Sequence, residues 1–194
     1  MRTSPARFAI GQIREIVARC NPDFDSARPL TWSAQGPAAK SWEEWLQSLF
    51  GPILLPHLRG VLDYAARQSA REILLLDVAL NRELEPGPRQ NSIAAGQTLL
   101  QRHAPRGERL ITKIQDAIQA GEAFGHFATL YAMRCFAFSI PARSAIFGYL
   151  AQELAGGVQD ELARVKLLEA SVEPVNEFLR ISSHGLNEGL RFHG

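Results

Sequence analysis

The stretch that decides the fold is FGHFATLYAMRCFAF, residues 124–138. Its apolar residues lie on nearly every side of a helix, whereas a helix at a protein surface has one polar face. We therefore predict that this segment is a helix at the centre of a helical bundle and the most buried element of the chain. Because it contains His126 and Arg134 and is shorter than the roughly 18 apolar residues of a membrane span, we do not expect it to cross a membrane.

Patterns typical of helices precede this central segment. A first helix is predicted over residues 4–20, and a long proline-containing loop over residues 21–40. Ser41 is predicted to cap the next helix, with Glu44 three residues later completing a capping box. The Gly-Pro pair at 51–52 is predicted to break that helix. Further helices are predicted over residues 58–65, 70–84, 88–103 and 107–120.

The C-terminal third follows the same pattern. Ser139 is predicted to cap a helix that ends at the glycine pair 156–157, and a shorter helix and a last one beginning at Pro174 follow. Residues 182–194 are rich in serine and glycine and are predicted to form a mobile tail. Alternating runs and Asn-Gly or Asp-Gly turns are missing, which disfavours strands. The sequence thus predicts one all-α domain, residues 1–194, a single bundle of about eight to nine helices.

Composition excludes several classes of protein. The chain has 194 residues, with 21 Lys+Arg against 20 Asp+Glu. This balance argues against a nucleic-acid-binding protein, whose surface is normally basic. Two cysteines are too few for a disulfide scaffold or a four-thiolate zinc site. The N-terminus resembles no secretory signal, so we expect a cytoplasmic protein that contacts neither nucleic acid nor membrane.

No motif predicts a catalytic or cofactor site. Residues 36–41 contain a Lys-Ser pair but lack the second glycine of a phosphate-binding loop. The five histidines share no i, i+4 spacing, so we expect no tight metal site. A weak nickel or zinc contact at a dimer interface stays open, because symmetry would double each ligand. His126 and Cys135 are nine residues apart and would point to opposite sides of one helix. Cys135 is therefore interpreted as a small buried apolar residue, and we predict no cofactor and no enzymatic activity.

Arg134 is the one charged residue inside the most apolar helix, where a charge must be paired or face a groove. One interpretation is internal: an ion pair with Asp77 or bonds to carbonyl groups at a helix C-terminus. The other interpretation is contact with a partner protein. Gly125 is costly inside a helix, so we expect close helix packing at that position.

The end of the chain combines Leu190, Arg191 and Phe192. Two apolar side chains flanking a guanidinium group are typical of residues that anchor an interface. The alternative is that Phe192 packs back onto its own bundle.

Taken in order, several segments resemble the UreF family of urease accessory proteins. The resemblance covers residues 41–194 and depends on the order and spacing of these segments. They are WEEWL (42–46), LLPHL (54–58), LLLDVAL (74–80), RQNS (89–92), GQTLL (96–100), GH (125–126) with the helix after it, IP (140–141), FGYL (147–150) and LRF (190–192). The family's N-terminal motif is replaced by the proline-rich loop, and its Arg-Leu-Ile-Pro-Leu-Gly-Gln motif is reduced to RVKLLEA, residues 164–170.

The resemblance implies a non-catalytic helical protein that forms a homodimer. It also implies assembly with a second urease accessory protein and with a GTPase that delivers nickel to apo-urease. The residues we predict to bind partners are Arg89, Arg134, Arg164, Leu190, Arg191 and Phe192.

Two alternatives remain from the residues alone. One is a helical small-molecule enzyme of the haem-oxygenase-like or TENA-like type, in which Tyr131, Cys135, His126 and a carboxylate would converge in a cavity. The other is a helical adaptor unrelated to urease.

Overall fold

The computed structural model of the protein describes residues 13, 15–21, 28–102 and 109–189, with side chains described up to Arg180. Within these ranges every regular element is helical and there is no strand, which confirms the all-α prediction. Helix α1 covers residues 15–20. The elements that follow are α2 (Ala38–Trp45), a π-helical segment (Leu46–Leu54), α3 (Leu55–Ala66), α4 (Ala70–Glu83), α5 (Pro86–Leu100), α6 (Arg109–Gln119), α7 (Phe127–Ala137), α8 (Ala142–Gly157), α9 (Glu161–Ala170) and α10 (Val172–Gly189).

Helix α7 lies at the centre of the bundle, as its apolar composition predicts. All nine residues from 127 to 135 are buried, and the helix packs most extensively against α3 and α5. The helix begins at Phe127, so Gly125 lies before it, in a turn with φ +74° that suits glycine. The prediction of a mid-helix glycine was therefore wrong. The two ends of the apolar stretch reach the surface, since Phe124 is 41% exposed and Phe138 is 39% exposed.

The prediction that the Gly-Pro pair at 51–52 breaks the helix is also wrong. Helical backbone runs without interruption from α2 through the π-helical segment into α3. Proline lacks an N–H group and its ring crowds the carbonyl one turn earlier. The wider π turn around Pro52 accommodates the ring without ending the helix. Gly51 is used for packing, because a Cβ there would lie 2.6 Å from Cζ of Phe178 in α10.

Neither predicted serine cap is present. Helix α2 begins at Ala38 with Pro37 at the N-cap position, and Ser41 lies inside its first turn. The Ser41 hydroxyl instead accepts a hydrogen bond from the Trp32 indole Nε1 at 3.1 Å. Ser139 has φ +55° and precedes α8, whose N-cap is Pro141.

The last helix is longer than predicted. Helix α10 continues to Gly189, through residues that the sequence assigned to a mobile tail. Residues 190–194, which include Leu190, Arg191 and Phe192, lie outside the described residues. No helix of the described chain is both long and apolar enough to cross a lipid bilayer.

A tryptophan cluster, made of Trp32, Trp42 and Trp45, joins the loop before α2 to the bundle. The ring centroids of Trp32 and Trp42 are 4.9 Å apart, and those of Trp42 and Trp45 are 4.8 Å apart. Phe50 continues the cluster towards Tyr149 of α8. These rings bury large apolar areas, so they fix the loop as a packed part of the core.

Candidate functional site

The start of α7 is held by a buried carboxylate from another helix. Asp77 of α4 is 1% exposed. Its Oδ2 accepts the backbone N–H groups of Phe124 and Gly125 at 2.8 and 2.9 Å. Its Oδ1 accepts the N–H of His126 at 2.9 Å and the hydroxyl of Thr129 at 2.6 Å. A negative charge near a helix N-terminus is favoured by the helix dipole, and Asp77 fixes the turn that leads into α7.

His57 of α3 extends this network. The Thr129 hydroxyl donates its proton to Asp77, so its oxygen can only accept from the His57 Nε2, which lies 3.0 Å away. This assigns the proton of the neutral imidazole to Nε2. Burial lowers the pKa of His57 to about 4, although the charge of Asp77 opposes that shift. His57 is therefore neutral at physiological pH.

His126 and Ser92 join the same turn to α5. The Ser92 hydroxyl lies 3.2 Å from the His126 Nδ1 and accepts the N–H of Phe127 at 3.3 Å. The other ring nitrogen of His126, Nε2, is buried and has no hydrogen-bond partner among the described residues. Burial lowers the pKa of His126 as well.

Helix α5 approaches this turn very closely. A Cβ on Gly96 would overlap the carbonyl oxygen of Gly125, and it would lie 3.0 Å from the carbonyl carbon of His126. Only glycine allows this distance between the backbones. The close packing that the sequence predicted at Gly125 is therefore present, although the glycine is in a turn and not in a helix.

Two of the arginines predicted to bind partners, Arg89 and Arg134, donate to a backbone carbonyl at the C-terminal end of a helix, where such groups lack helical partners and positive charge is favoured. Arg89 donates Nη2 and Nε to the carbonyl of Leu84, the residue after α4, at 2.7 and 3.1 Å. Arg164 instead donates Nη2 at 3.2 Å to the carbonyl of Gln159, in the connection between α8 and α9.

Arg134 fills this role for α1. It is 6% exposed, and its Nε donates to the carbonyl of Cys20, the last residue of α1, at 2.6 Å. Its guanidinium carbon lies 5.6 Å from the ring centroid of Phe138. This contact matches the internal interpretation based on helix carbonyls. Asp77 was the other internal partner predicted for Arg134, and its carboxylate instead accepts the four hydrogen bonds at the start of α7.

A second buried carboxylate, Glu153 of α8, was missed by the sequence analysis. It is fully buried and accepts the N–H and the hydroxyl of Thr31 at 3.0 and 2.6 Å and the N–H of Trp32 at 3.0 Å. Burial raises its pKa, and these bonds oppose the shift. The signal was present in the sequence, because an acidic residue in an apolar helix such as 145–154 needs buried partners.

The structure also brings together two cysteines that the sequence analysis treated separately. Cys20 of α1 and Cys135 of α7 are fully buried, with their sulfur atoms 3.5 Å apart. No local pattern reveals this pair, because 115 positions separate the two residues.

A cavity of about 440 Å³ lies between α5 and the loop before α2. Its lining includes Asn91, Thr98, Leu99, Asn21, Arg28 and Gln152. The enzyme alternative would place Tyr131, Cys135 and His126 around a cavity, and none of these lines this one. Among the described residues, no group of three or more His, Cys, Asp and Glu side chains is placed to hold a metal ion.

The sequence model of the UreF family matches residues 38–168. The match begins at the first residue of α2 and extends into α9. It includes Asp77, Ser92, His126 and Glu153. No curated protein and no solved structure shows significant similarity to the chain.

Proposed function

Because the chain belongs to the UreF family of urease accessory proteins, we propose that it acts without catalysis of its own, as an assembly factor for urease. In this proposal it binds a second accessory protein and a nickel-delivering GTPase, and the complex supports nickel insertion into apo-urease. The observation that carries the proposal is the family match over residues 38–168, which spans the bundle from α2 into α9.

Four large apolar side chains are partly exposed: Phe124 and Phe138 at the two ends of α7, Leu75 (59%) and Leu162 (49%). Single exposed apolar side chains occur on most protein surfaces, so these positions are points to test for partner contact and do not themselves carry the proposal. We also propose that the chain forms a homodimer in the complex.

The residues proposed to bind partners differ in what they can contribute. Arg89 and Arg164 are half-buried, and each donates to one backbone carbonyl. The Nε of Arg164 is buried, so Arg164 would offer a partner only its terminal N–H groups. Arg134 is buried, so its contribution would be indirect, through holding α1 on α7. Leu190, Arg191 and Phe192 are proposed as the anchor for the second accessory protein.

The test is reconstitution of urease maturation in a host that lacks urease. The structural subunits, the second accessory protein and the GTPase are expressed with the affinity-tagged chain or without it. We expect the accessory protein and the GTPase to co-purify with the tagged chain, and urease activity to require it. A control that omits only the GTPase should retain the chain and the accessory protein together while urease stays inactive.

The proposal fails if the chain is folded by circular dichroism, yet neither protein co-purifies and urease matures equally well without it. A soluble, folded chain that binds neither protein would favour the unrelated adaptor.

A further inference from the structure

The two cysteines of the chain lie in direct contact across the interface between α1 and α7. Their sulfur atoms are 3.5 Å apart, both side chains are fully buried, and neither is in a disulfide. A disulfide requires about 2.05 Å between the sulfur atoms, so a shift of about 1.5 Å would bring them to bonding distance. We propose that Cys20 and Cys135 are a reversible oxidation site, at which a peroxide or a small disulfide converts the thiol pair into an intramolecular disulfide.

The surroundings give the two sulfurs different roles. The hydrogen bond from the Cys135 thiol lowers the pKa of Cys20, and the positive charge of Arg134 adds to this effect. Burial raises the pKa of Cys135. Cys20 is therefore the sulfur that ionises first and attacks the oxidant, and Cys135 is the thiol that completes the bond.

With hydrogen peroxide the reaction balances in two steps. The Cys20 thiolate attacks one peroxide oxygen, the O–O bond breaks, and the hydroxide released takes up a proton to become water. The Cys135 sulfur then attacks the sulfur of the Cys20 sulfenic acid. The S–S bond forms, and the hydroxyl group leaves as a second water with the Cys135 proton.

With oxidised glutathione, the Cys20 thiolate attacks one glutathione sulfur and releases the other glutathione as a thiol. The Cys135 sulfur then attacks the Cys20 sulfur of the mixed disulfide and releases the second glutathione as a thiol. With either oxidant the two cysteines lose two electrons, and a dithiol reductant reverses the change.

Two cavities lie beside residues adjacent to the pair, although neither cysteine lines either of them. Asn21, the neighbour of Cys20, lines the 440 Å³ cavity, and Arg134, the neighbour of Cys135, lines a second, small cavity. Because both sulfurs are buried, oxidation should be slow compared with that of an exposed thiol. The product would join α1 covalently to the central helix, where the bond from Arg134 to the Cys20 carbonyl already holds it.

The test uses the purified full-length chain, reduced and then treated with hydrogen peroxide or oxidised glutathione. Free thiols are counted in denaturant, and the intact mass is measured. We expect both thiols to disappear, the mass to fall by two hydrogens, and peptide mapping to recover one peptide pair linked through Cys20 and Cys135. Dithiothreitol should restore both thiols.

The melting temperature is the second measurement. The bond would close a loop of more than 100 residues, so the oxidised protein should melt at least about 5 °C above the reduced protein. Cys20→Ser and Cys135→Ser are the matched controls and should show no oxidation-dependent change in melting temperature. The proposal is wrong if the oxidised wild-type chain keeps both thiols, gains oxygen atoms instead of losing hydrogens, or forms disulfides only between chains. Peptide mapping of the wild-type protein tests the proposal even if a serine variant fails to fold. The result, positive or negative, does not test the proposed role in urease maturation.

Discussion

Replacing Asp77 by asparagine should destabilise the protein strongly, although the two side chains have nearly the same shape. The carboxylate accepts two donors on each of its oxygens, among them three backbone N–H groups at the start of α7. With the asparagine NH2 group in place of Oδ2, the N–H groups of Phe124 and Gly125 would lose their acceptor. With it in place of Oδ1, the N–H of His126 would lose its acceptor, whereas the Thr129 hydroxyl can turn and accept from the NH2 group. The second orientation is the less costly one, because each buried donor left without an acceptor costs about 1–3 kcal/mol. With the lost interaction between the charge and the helix dipole, we expect the free energy of unfolding to fall by about 3 kcal/mol.

Urea denaturation followed by far-ultraviolet circular dichroism measures this change. With a slope of about 2 kcal/mol per M, the midpoint should fall by about 1.5 M. Asp116→Asn on the exposed side of α6 is the matched control and should change the free energy by less than about 0.5 kcal/mol. If the Asp77→Asn midpoint falls by less than about 0.5 M, Asp77 does not hold the start of α7 and the description of the site is wrong.

Three further predictions concern packing, pH and the end of the chain. Gly96→Ala should lower the free energy of unfolding by about 2–3 kcal/mol, because the added Cβ would overlap the Gly125 carbonyl. Gln97→Ala on the same helix is the control and should be nearly neutral. Equal urea midpoints for the two variants would contradict the close contact. The pKa of His57 is about 4 in the folded protein, below the ordinary histidine value of about 6.5. The unfolded chain therefore binds more protons between these values, and acidification from pH 7 to pH 4 should lower the free energy of unfolding by about 3 kcal/mol at this site. His57→Gln should lose that share of the pH dependence in denaturation curves. Deleting residues 190–194 should weaken binding to the second accessory protein by at least about 2 kcal/mol, measured by calorimetry. The melting temperature should stay within a few degrees of the wild-type value. Unchanged affinity would show that these residues do not anchor the partner.

The sequence predicted the elements whose signal is local. The apolar run before Phe138 predicted a central helix because no face of it could meet water. Ser41 and Ser139 show where local patterns fail. Serine is a residue type favoured at helix N-caps. The Ser41 hydroxyl nevertheless accepts a bond from the Trp32 indole, and Ser139 lies in a turn before Pro141. A tertiary partner outweighed the local preference in the first case.

The buried polar site was predictable only in part. For Arg134, the cost of burying a charge indicated helix carbonyls as one possible partner, and the structure shows such a carbonyl at Cys20. The same argument applied to Asp77 and Glu153 shows that each needs partners, but not which ones. Their donors lie 47 or more positions away in the chain and are brought close only by the packing of α4 against α7 and of the loop against α8.

The tryptophan cluster gives the protein a localised optical reporter. The chain has three tryptophans, and all of them pack together where the loop before α2 meets the bundle. Intrinsic fluorescence therefore observes this junction, whereas far-ultraviolet circular dichroism averages over all the helices. If the loop held by Glu153 detaches before the bundle melts, the fluorescence transition will precede the dichroism transition. Coincident curves would show that loop and bundle unfold as one cooperative unit.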